Sequence, residues 1–456
     1  MRPHQRAAYP QTMLPESQSV LHTWCRQSDW NAPTIVGGEG AHLLAADGTR
    51  ILDMSSLAEC SNLGHQHPAV VEALRAQAGK LCFVTSAWGA QPRAELAQLL
   101  LERSGFEGGR VFFTLGGADG NEHAVKFARQ ASGKPRGLVI TRDRSYHGAS
   151  YAAMALSGDT RTAAQADPAA YRVVHVPPPY AYRCPFGTTS AAACGAAAAA
   201  CVADTIDRHG AGEVAAVLME PNAGTNGIVA PDTFWPALRE ATAQRGVFLI
   251  ADEVMSGFGR CGEWFAWQRY GQTHRPDIMT LAKGLTGAHA PLGAVVVSAQ
   301  VARILERQPL MTGLTYSGHP LSCAAGVAAV RAYEAGGLIE RSRELGRFML
   351  GRLRQMQAGN PLIGELRGGE GLFAVIELVS DRTSRAPLSP WPQMHPALGA
   401  LLRQGLRAGV SFAARGNLLF LAPPLVIARP DLAAALELLE RLLGELAGAL
   451  ATEVPA

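Results

Sequence analysis

Short apolar runs alternate with stretches of helical periodicity through the middle of the chain, and this alternation constrains the fold most strongly. The runs RVFFTL, GLVITR, EVAAVLME, GVFLIADEV and GAVVVS each have the length of one strand and are apolar at most positions. Strands that are apolar on both faces and are separated by helices are typical of a mostly parallel sheet covered by helices. The pattern therefore predicts an α/β fold, with a large domain over residues 55–326.

The two ends of the chain predict a smaller α+β domain. Near the N-terminus, two apolar runs flank Asp47-Gly48 in GGEGAHLLAADGTRILD, which is a hairpin pattern. Near the C-terminus, helical stretches alternate with the strand-like runs GLFAVIELV and LLFLAPPLVI. We expect residues 1–54 to form the N-terminal segment of the small domain and residues 327–456 its C-terminal part. The alanine-rich run TTSAAACGAAAAACVADTI predicts a packed helix rather than a linker.

Charge and composition exclude several classes of partner. The 41 basic and 38 acidic side chains give a formal charge of +3, without the concentrated basic charge that favours nucleic acid or an anionic membrane. No apolar run approaches the roughly 20 residues that span a bilayer, and no export signal opens the chain. The 8 cysteines form no C-x-x-C pair, so we predict reduced thiols and no metal site. We expect a cytoplasmic protein without membrane or nucleic-acid partners.

Two adjacent carboxylates, Asp252 and Glu253, end the buried-looking strand GVFLIADEV. Ligands of open α/β sheets bind at the carboxyl ends of the strands, so an acid at this point is placed to meet one. A carboxylate there can pair with a protonated ring nitrogen and keep that nitrogen charged. An isolated aspartate at a strand end more often caps a loop, and the functional interpretation of Asp252 therefore needs a second motif.

That second motif is DIMTLAKGLTG, in which Lys283 follows a short apolar strand and precedes a glycine. A lone lysine at a strand end is usually a surface residue. Here the apolar neighbours predict desolvation, which lowers the pKa of an amine and favours Schiff-base chemistry. The occurrence of AKG after DEV favours a functional role for both Lys283 and Asp252.

A glycine-rich turn precedes a predicted helix in VFFTLGGADGNEHAVKFAR, and we expect that helix to begin near Asn121. Backbone N–H groups in such a turn bind phosphate together with the positive end of the helix dipole. Gly116 and Gly117 allow a close approach. Neither G-x-G-x-x-G nor G-K-[ST] follows the strand, which argues against an NAD- or nucleotide-binding enzyme. In SYHGAS, the ring of Tyr146 can stack on a flat cofactor.

Taken together, these motifs resemble those of the class III, or omega, aminotransferases, which are fold-type I pyridoxal-phosphate-dependent enzymes. The resemblance covers nearly the whole chain. Each motif alone is weak, but their joint occurrence in the family's order is highly specific. The motifs are the turn at Gly64–Pro68, GGADGNEHAVKFAR, YHGAS, the strand end Glu220-Pro221, DEVMSGFGR, AKGLTG and TYSGHP.

The resemblance implies a set of contacts to pyridoxal 5'-phosphate. Lys283 would carry the cofactor as a Schiff base, and Asp252 would pair with the pyridine nitrogen. Val254 would pack on the ring face opposite Tyr146. Glu220 would lie near the phenolic oxygen of the cofactor or near the substrate pocket.

The phosphate contacts implied by the resemblance involve two subunits. Gly117 and Ala118 would donate backbone N–H groups, and Thr315 would contact the same phosphate from the neighbouring subunit, which makes a homodimer with shared active sites part of the prediction. The family commonly has serine at the places of Gly116 and Ala118, so backbone contacts must carry more of the binding here.

The resemblance also suggests residues for the substrates. Family members often have an arginine for the acceptor carboxylate at the place of Ala413, and Arg415, two residues later, is the candidate in this chain. Trp88, Cys60 and Tyr151 are candidate lining residues, and of these Trp88 is the one that we assign to substrate binding.

The predicted function is transfer of an amino group from an omega-amino acid or primary amine to a keto acid, pyruvate, by a ping-pong mechanism. Aminomutases, decarboxylating aminotransferases and lyases of the same family share the lysine and the aspartate, and they stay open as alternatives. An inert binding protein on this fold is disfavoured by Lys283. The sequence leaves open the donor, the choice between pyruvate and 2-oxoglutarate, and the choice between dimer and tetramer.

Overall fold

The computed structural model describes residues 16–167 and 170–453. Its strands, in chain order, are β1 (Ile35–Glu39), β2 (His42–Ala45), β3 (Arg50–Asp53), β4 (Arg110–Thr114), β5 (Leu138–Arg142), β6 (Val173–Val176), β7 (Val214–Met219), β8 (Asn222–Ala223), β9 (Ile228–Val229), β10 (Phe248–Asp252), β11 (Ile278–Leu281), β12 (Gly293–Val297), β13 (Ile363–Gly368), β14 (Ala374–Asp381), β15 (Ala386–Pro387), β16 (Val410–Ser411), β17 (Ala413–Arg415) and β18 (Leu418–Leu421).

Its helices, in chain order, are α1 (Ser56–Glu59), α2 (Pro68–Ala78), α3 (Gln91–Ser104), α4 (Gly117–Ala131), α5 (Tyr151–Leu156), α6 (Ala191–His209), α7 (Phe234–Gln244), α8 (Ala299–Leu305), α9 (Pro320–Ala335), α10 (Leu338–Gly359), α11 (Pro396–Arg407) and α12 (Arg429–Glu453). Short 3-10 turns cover Glu16–Gln18, Gln27–Asp29, Ala181–Arg183, Ala266–Tyr270, Gln272–His274 and Lys283–Leu285.

A seven-stranded sheet in the order β4-β12-β11-β10-β7-β5-β6 forms the centre of the molecule. Strand β12 runs antiparallel to both of its neighbours, whereas the other pairings are parallel. Every residue of β7, β11 and β12 is buried, as expected for strands covered on both faces. The predicted α/β fold with a mostly parallel sheet is confirmed. Asp252 pairs with Thr280 at the ends of β10 and β11, so the segments after both strands leave the same edge of the sheet.

The N- and C-terminal parts of the chain share a sheet. Strands β1, β2 and β3 pair in order, and β16 adds to β3 in parallel, with Val410 opposite Leu52. The predicted hairpin at Asp47-Gly48 is confirmed, because β2 and β3 are antiparallel and the Asp47 carboxylate accepts a 2.9 Å hydrogen bond from the N–H of Thr49. A second sheet, in the order β13-β14-β18-β17, is built wholly from the C-terminal part.

The alanine-rich segment forms α6, as predicted. Ser190 caps its N-terminus by accepting a 3.2 Å hydrogen bond from the N–H of Ala193. One face of α6 is buried, including Ala198 and Val202, and it packs against α7. The segment is therefore a structural helix.

One predicted helix start is wrong by four residues, and a carboxylate cap explains the difference. The helix expected near Asn121 begins at Gly117, because Asp119 accepts hydrogen bonds from the N–H groups just before it. A carboxylate also caps the helix that begins at Tyr151, where Glu122 accepts from the N–H groups of the first turn at 3.1–3.2 Å.

Within residues 16–167 and 170–453, no helix has both the length and the apolar character needed to cross a membrane. The same residues hold no group of three or more His, Cys, Asp or Glu side chains that could bind a metal ion. All eight cysteines lie in the described residues and are free thiols.

Candidate active site

A cavity of about 480 Å³ lies at the edge of the central sheet where β10 and β11 end. The candidate lining residue Cys60 is one of the residues that line this cavity. Burial raises the pKa of the Cys60 thiol, so the thiol is protonated at neutral pH. Seven of the ten predicted site residues line this one cavity: Gly117, Ala118, Tyr146, Glu220, Asp252, Val254 and Lys283.

Asp252 is buried and held by three hydrogen-bond donors. Its Oδ2 accepts from Nδ2 of Asn121 at 2.7 Å and lies 2.8 Å from Nδ1 of His147. Its Oδ1 accepts from the N–H of Val254 at 3.0 Å. A carboxylate offers about four lone-pair positions, so one remains for a donor in the cavity.

The groups that hold Asp252 are themselves fixed. Oδ1 of Asn121 accepts a 2.7 Å hydrogen bond from the hydroxyl of Thr280, and Nε2 of His147 lies 3.1 Å from the hydroxyl of Thr141. Because these partners come from β11 and β5, the central sheet sets the orientation of the carboxylate. Such fixed groups lose little entropy when a ligand binds.

Lys283 follows β11 in a backbone conformation with φ of +44°. Its Nζ donates to Oε2 of Glu59 at 3.0 Å. Burial lowers the pKa of Lys283, but the negative charge of Glu59 opposes burial and the net direction is upward. The predicted lowering of this pKa is therefore wrong, because the apolar neighbours in sequence do not include the carboxylate that reaches the amine in space.

Glu59 ends α1, a single turn in which all four residues have positive φ, from +48° to +66°. This left-handed conformation costs an L-residue about 1–2 kcal/mol, so the surroundings must hold it. Oδ1 of Asp53 accepts from the N–H of Ser55 at 2.9 Å on one side of the turn. On the other side, NH2 of Arg260 donates to Ser56 at 2.9 Å and to Asn62 at 2.7 Å.

The first turn of α4 forms part of the wall of the cavity. The amides of Gly117 and Ala118 belong to this turn, where helix geometry supplies no acceptor. A Cβ at position 117 would lie 2.9 Å from both Cγ atoms of Val254, so any residue other than glycine would force Val254 to shift. The turn therefore offers N–H groups and a positive dipole end to an anion.

Tyr146 and Val254 bring an aromatic ring and an apolar side chain to the cavity. The guanidinium of Arg161 lies 5.0 Å from the centre of the Tyr146 ring, on which it stacks. Glu220 is buried and paired with NH2 of Arg142 at 2.6 Å. The charge of Glu220 is thus already compensated within the protein.

The other three predicted site residues, and the candidate lining residue Tyr151, lie outside the cavity of their own chain. Trp88 and Tyr151 are 70% and 61% exposed, and Thr315 is exposed as well. Arg415 forms two 2.7 Å hydrogen bonds with the carboxylate of Asp159. The structure does not bring these four side chains together with Lys283.

Sequence reasoning missed three side chains that contact the two central residues: Glu59, Asn121 and His147. Asn121 and His147 lie inside quoted motifs, and their polar side chains next to the glycine turn and Tyr146 were an available signal. For Glu59 the sequence contained no such signal, because its contact with Lys283 joins positions 224 residues apart.

The residues of the cavity fit pyridoxal 5'-phosphate. The free lone pair of Asp252 matches a ring N–H, the α4 turn matches a phosphate, and Lys283 supplies an amine for a carbonyl carbon. Tyr146 and Val254 provide two apolar surfaces for a flat ring.

Comparisons with known proteins agree with the geometry. The model of the class III aminotransferase family matches residues 26–443. The putrescine–pyruvate aminotransferase of Pseudomonas aeruginosa is 34% identical over 405 residues, which are 87% of this chain and 87% of that protein. The taurine–pyruvate aminotransferase of Rhodobacter capsulatus is 31% identical over 91% of this chain and 92% of its own.

A solved structure gives the same result. The taurine:2-oxoglutarate aminotransferase of Bifidobacterium kashiwanohense, in complex with pyridoxal phosphate and glutamate, superposes with a TM-score of 0.89 and 34% identity, over 95% of this chain and 97% of that one. The family match spans the central sheet, the cavity and the C-terminal sheet. The chain therefore belongs to the class III aminotransferases and is a pyridoxal 5'-phosphate-dependent enzyme that transfers an amino group to a keto acid.

Proposed function

We propose that the amino donor is a primary amine or an omega-amino acid, that the acceptor is pyruvate, and that the reaction is ping-pong. The observation that carries this proposal is the placement of Lys283, Asp252 and the α4 turn around one cavity. Two relatives whose names specify pyruvate as acceptor support it. In a ping-pong reaction the first product leaves before the acceptor binds, so one cavity serves both substrates.

Lys283 and Asp252 have the catalytic roles in this proposal. Lys283 anchors the cofactor through Nζ, and the same nitrogen then takes the proton from the carbon that bears the amino group. Asp252 holds the proton of the pyridine nitrogen. The cofactor supplies the electron sink for the negative charge that forms.

The remaining cavity residues bind and orient. The amides of Gly117 and Ala118 hold the phosphate, and Tyr146 and Val254 hold the two ring faces. Glu220, compensated by its ion pair, would limit the pocket near the phenolic oxygen of the cofactor or near the substrate.

We further propose a homodimer in which the exposed Thr315 and Trp88 reach the partner's active site. We also propose domain boundaries at residues 1–54, 55–326 and 327–456, and a cytoplasmic location. The sheet that joins β3 and β16 supports the assignment of both chain ends to one domain.

A panel of amine donors assayed with pyruvate and with 2-oxoglutarate tests the function. We expect transfer from primary amines to pyruvate, with parallel lines in double-reciprocal plots when one substrate is varied at fixed levels of the other. Intersecting lines would contradict the ping-pong mechanism, and transfer to 2-oxoglutarate alone would contradict the choice of acceptor.

Arg415 is the proposed anchor for the acceptor carboxylate. Its guanidinium already holds one carboxylate by two hydrogen bonds, that of Asp159, and it can exchange this partner for a keto acid. We expect Arg415→Ala to raise the KM for pyruvate strongly. The loss in binding free energy should be about 1.5–3 kcal/mol, the value for a lost charge-assisted hydrogen bond. The half-reaction with an uncharged amine should change much less.

Arg245→Ala is the matched control, because Arg245 also holds a carboxylate by two hydrogen bonds, that of Asp207, but does not line the cavity. This variant removes a similar ion pair but keeps Arg415, so the KM for pyruvate should stay close to that of the wild type. Equal losses in both half-reactions of Arg415→Ala would remove Arg415 from the site. Arg260 is no substitute anchor, because it is buried and bonded to four acceptors.

A further inference from the structure

We propose that Glu59 selects amine donors that carry a second positive charge, so that the enzyme prefers diamines to monoamines and to amino acids. This inference rests on the proposed function, because it concerns the donor of the same reaction. It assigns Glu59 as a specificity-determining residue.

The first observation is the position of the Glu59 carboxylate. Its side chain is 12% exposed, and Oε2 lies 3.0 Å from Nζ of Lys283. The next residue, Cys60, lines the cavity. A partly buried carboxylate therefore lies beside the nitrogen at which the amino group is exchanged.

The second observation is the charge balance of the site. Asp252 is held by Asn121 and His147, and Glu220 is paired with Arg142. Within residues 16–167 and 170–453, Lys283 is the only cation in ion-pair contact with Glu59. When Lys283 Nζ binds the cofactor or acts as an uncharged base, Glu59 loses its partner.

A partly buried carboxylate that loses its ion-pair partner is unfavourable, since water and the nearby charge of Arg260 replace only part of the lost interaction. An ammonium group at the far end of the donor restores the balance. A donor carboxylate at the same place would add repulsion between like charges. The site thus favours a dication over a monocation, and a monocation over a zwitterion.

The third observation is that Glu59 cannot easily move away. Its backbone belongs to the left-handed turn α1, which Asp53 and Arg260 hold from both sides. The N–H of Glu59 also donates to the carbonyl of Ser55 at 2.8 Å. The carboxylate therefore stays near the cavity when Lys283 changes its bonding.

A matched donor series with pyruvate as acceptor tests the proposal. The series is 1,4-diaminobutane, pentylamine and 5-aminopentanoate, which carry an ammonium, a methyl and a carboxylate group at the same distance from the reacting amine. We expect kcat/KM of the wild type to be roughly 10- to 100-fold higher for the diamine than for pentylamine, and lowest for the amino acid. Glu59→Gln should bring the ratio of diamine to pentylamine close to one, whereas Glu59→Asp, which keeps the charge, should retain a preference for the diamine.

A binding measurement keeps the test independent of turnover. N,N,N',N'-tetramethyl-1,4-diaminobutane has two charges but no transferable amino group, and it should inhibit the wild type more strongly than Glu59→Gln. An unchanged donor ratio in Glu59→Gln, or an equal loss for all three donors, would overturn the proposal. No transfer to pyruvate from any donor by the wild type would instead mean that the proposed function has failed.

Discussion

Lys283→Met is expected to lower kcat for amino transfer by roughly 1,000-fold or more, because both the anchoring nitrogen and the catalytic base are lost. Methionine has a similar length and fits an apolar environment, so the fold should persist. Single-turnover assays with excess enzyme measure the loss, and circular dichroism measures the fold.

Lys134→Met is the matched control. Nζ of Lys134 donates to the carbonyls of Ala211 and Val214 at 2.8 Å, so this lysine also has fixed partners but lies away from the cavity. We expect a lower melting temperature and near-normal turnover. Lys283→Met with turnover within tenfold of the wild type would contradict the role of Lys283.

Asp252→Asn is expected to reduce kcat by roughly 100- to 1,000-fold, because a neutral amide cannot hold a positive charge on the ring nitrogen. The amide also brings an N–H₂ group into a site where three donors converge on the carboxylate, from Asn121, His147 and Val254. Pre-steady-state kinetics of the donor half-reaction give the size of the effect.

Glu253→Gln separates this effect from the general cost of losing a buried carboxylate. Glu253 is fully buried and accepts from the N–H groups of Ala266 and Trp267 at 3.0 and 2.8 Å. Burial raises its pKa to about 7. We expect this variant to lose stability but to keep the kinetics of the half-reaction. Near-unchanged turnover in Asp252→Asn would assign the ring nitrogen to another residue.

Much of the fold could be predicted because local runs of apolar residues indicate which strands are buried. The fully apolar run of β7 and the alanine-rich segment of α6 each specify one element through their own residues. The helix start at Gly117 differs from the expected start near Asn121 because a cap from Asp119 decides it, and a cap from Glu122 likewise decides the start at Tyr151. The cap on Tyr151 comes from another helix, which a local pattern does not reveal.

The contacts of the site also divide into those that the sequence could predict and those that it could not. Asp252 ends β10 and Lys283 follows the adjacent strand β11. The position of both residues at one edge of the sheet was therefore predictable from the topology. The pairs Lys283–Glu59 and Arg415–Asp159 join residues 224 and 256 positions apart, and only the folded chain brings them together. The left-handed turn Ser56–Glu59 contains no glycine, so the sequence gives no sign of its backbone conformation.

Borohydride reduction of the yellow holoenzyme, followed by peptide mapping with mass spectrometry, tests the central claim most directly. The chain has only four lysines, Lys80, Lys126, Lys134 and Lys283, so the map has few outcomes. We expect the visible band to disappear and the reduced pyridoxyl group to be found on Lys283 alone. A reduced cofactor on any other lysine, with Lys283 unmodified, would contradict the account.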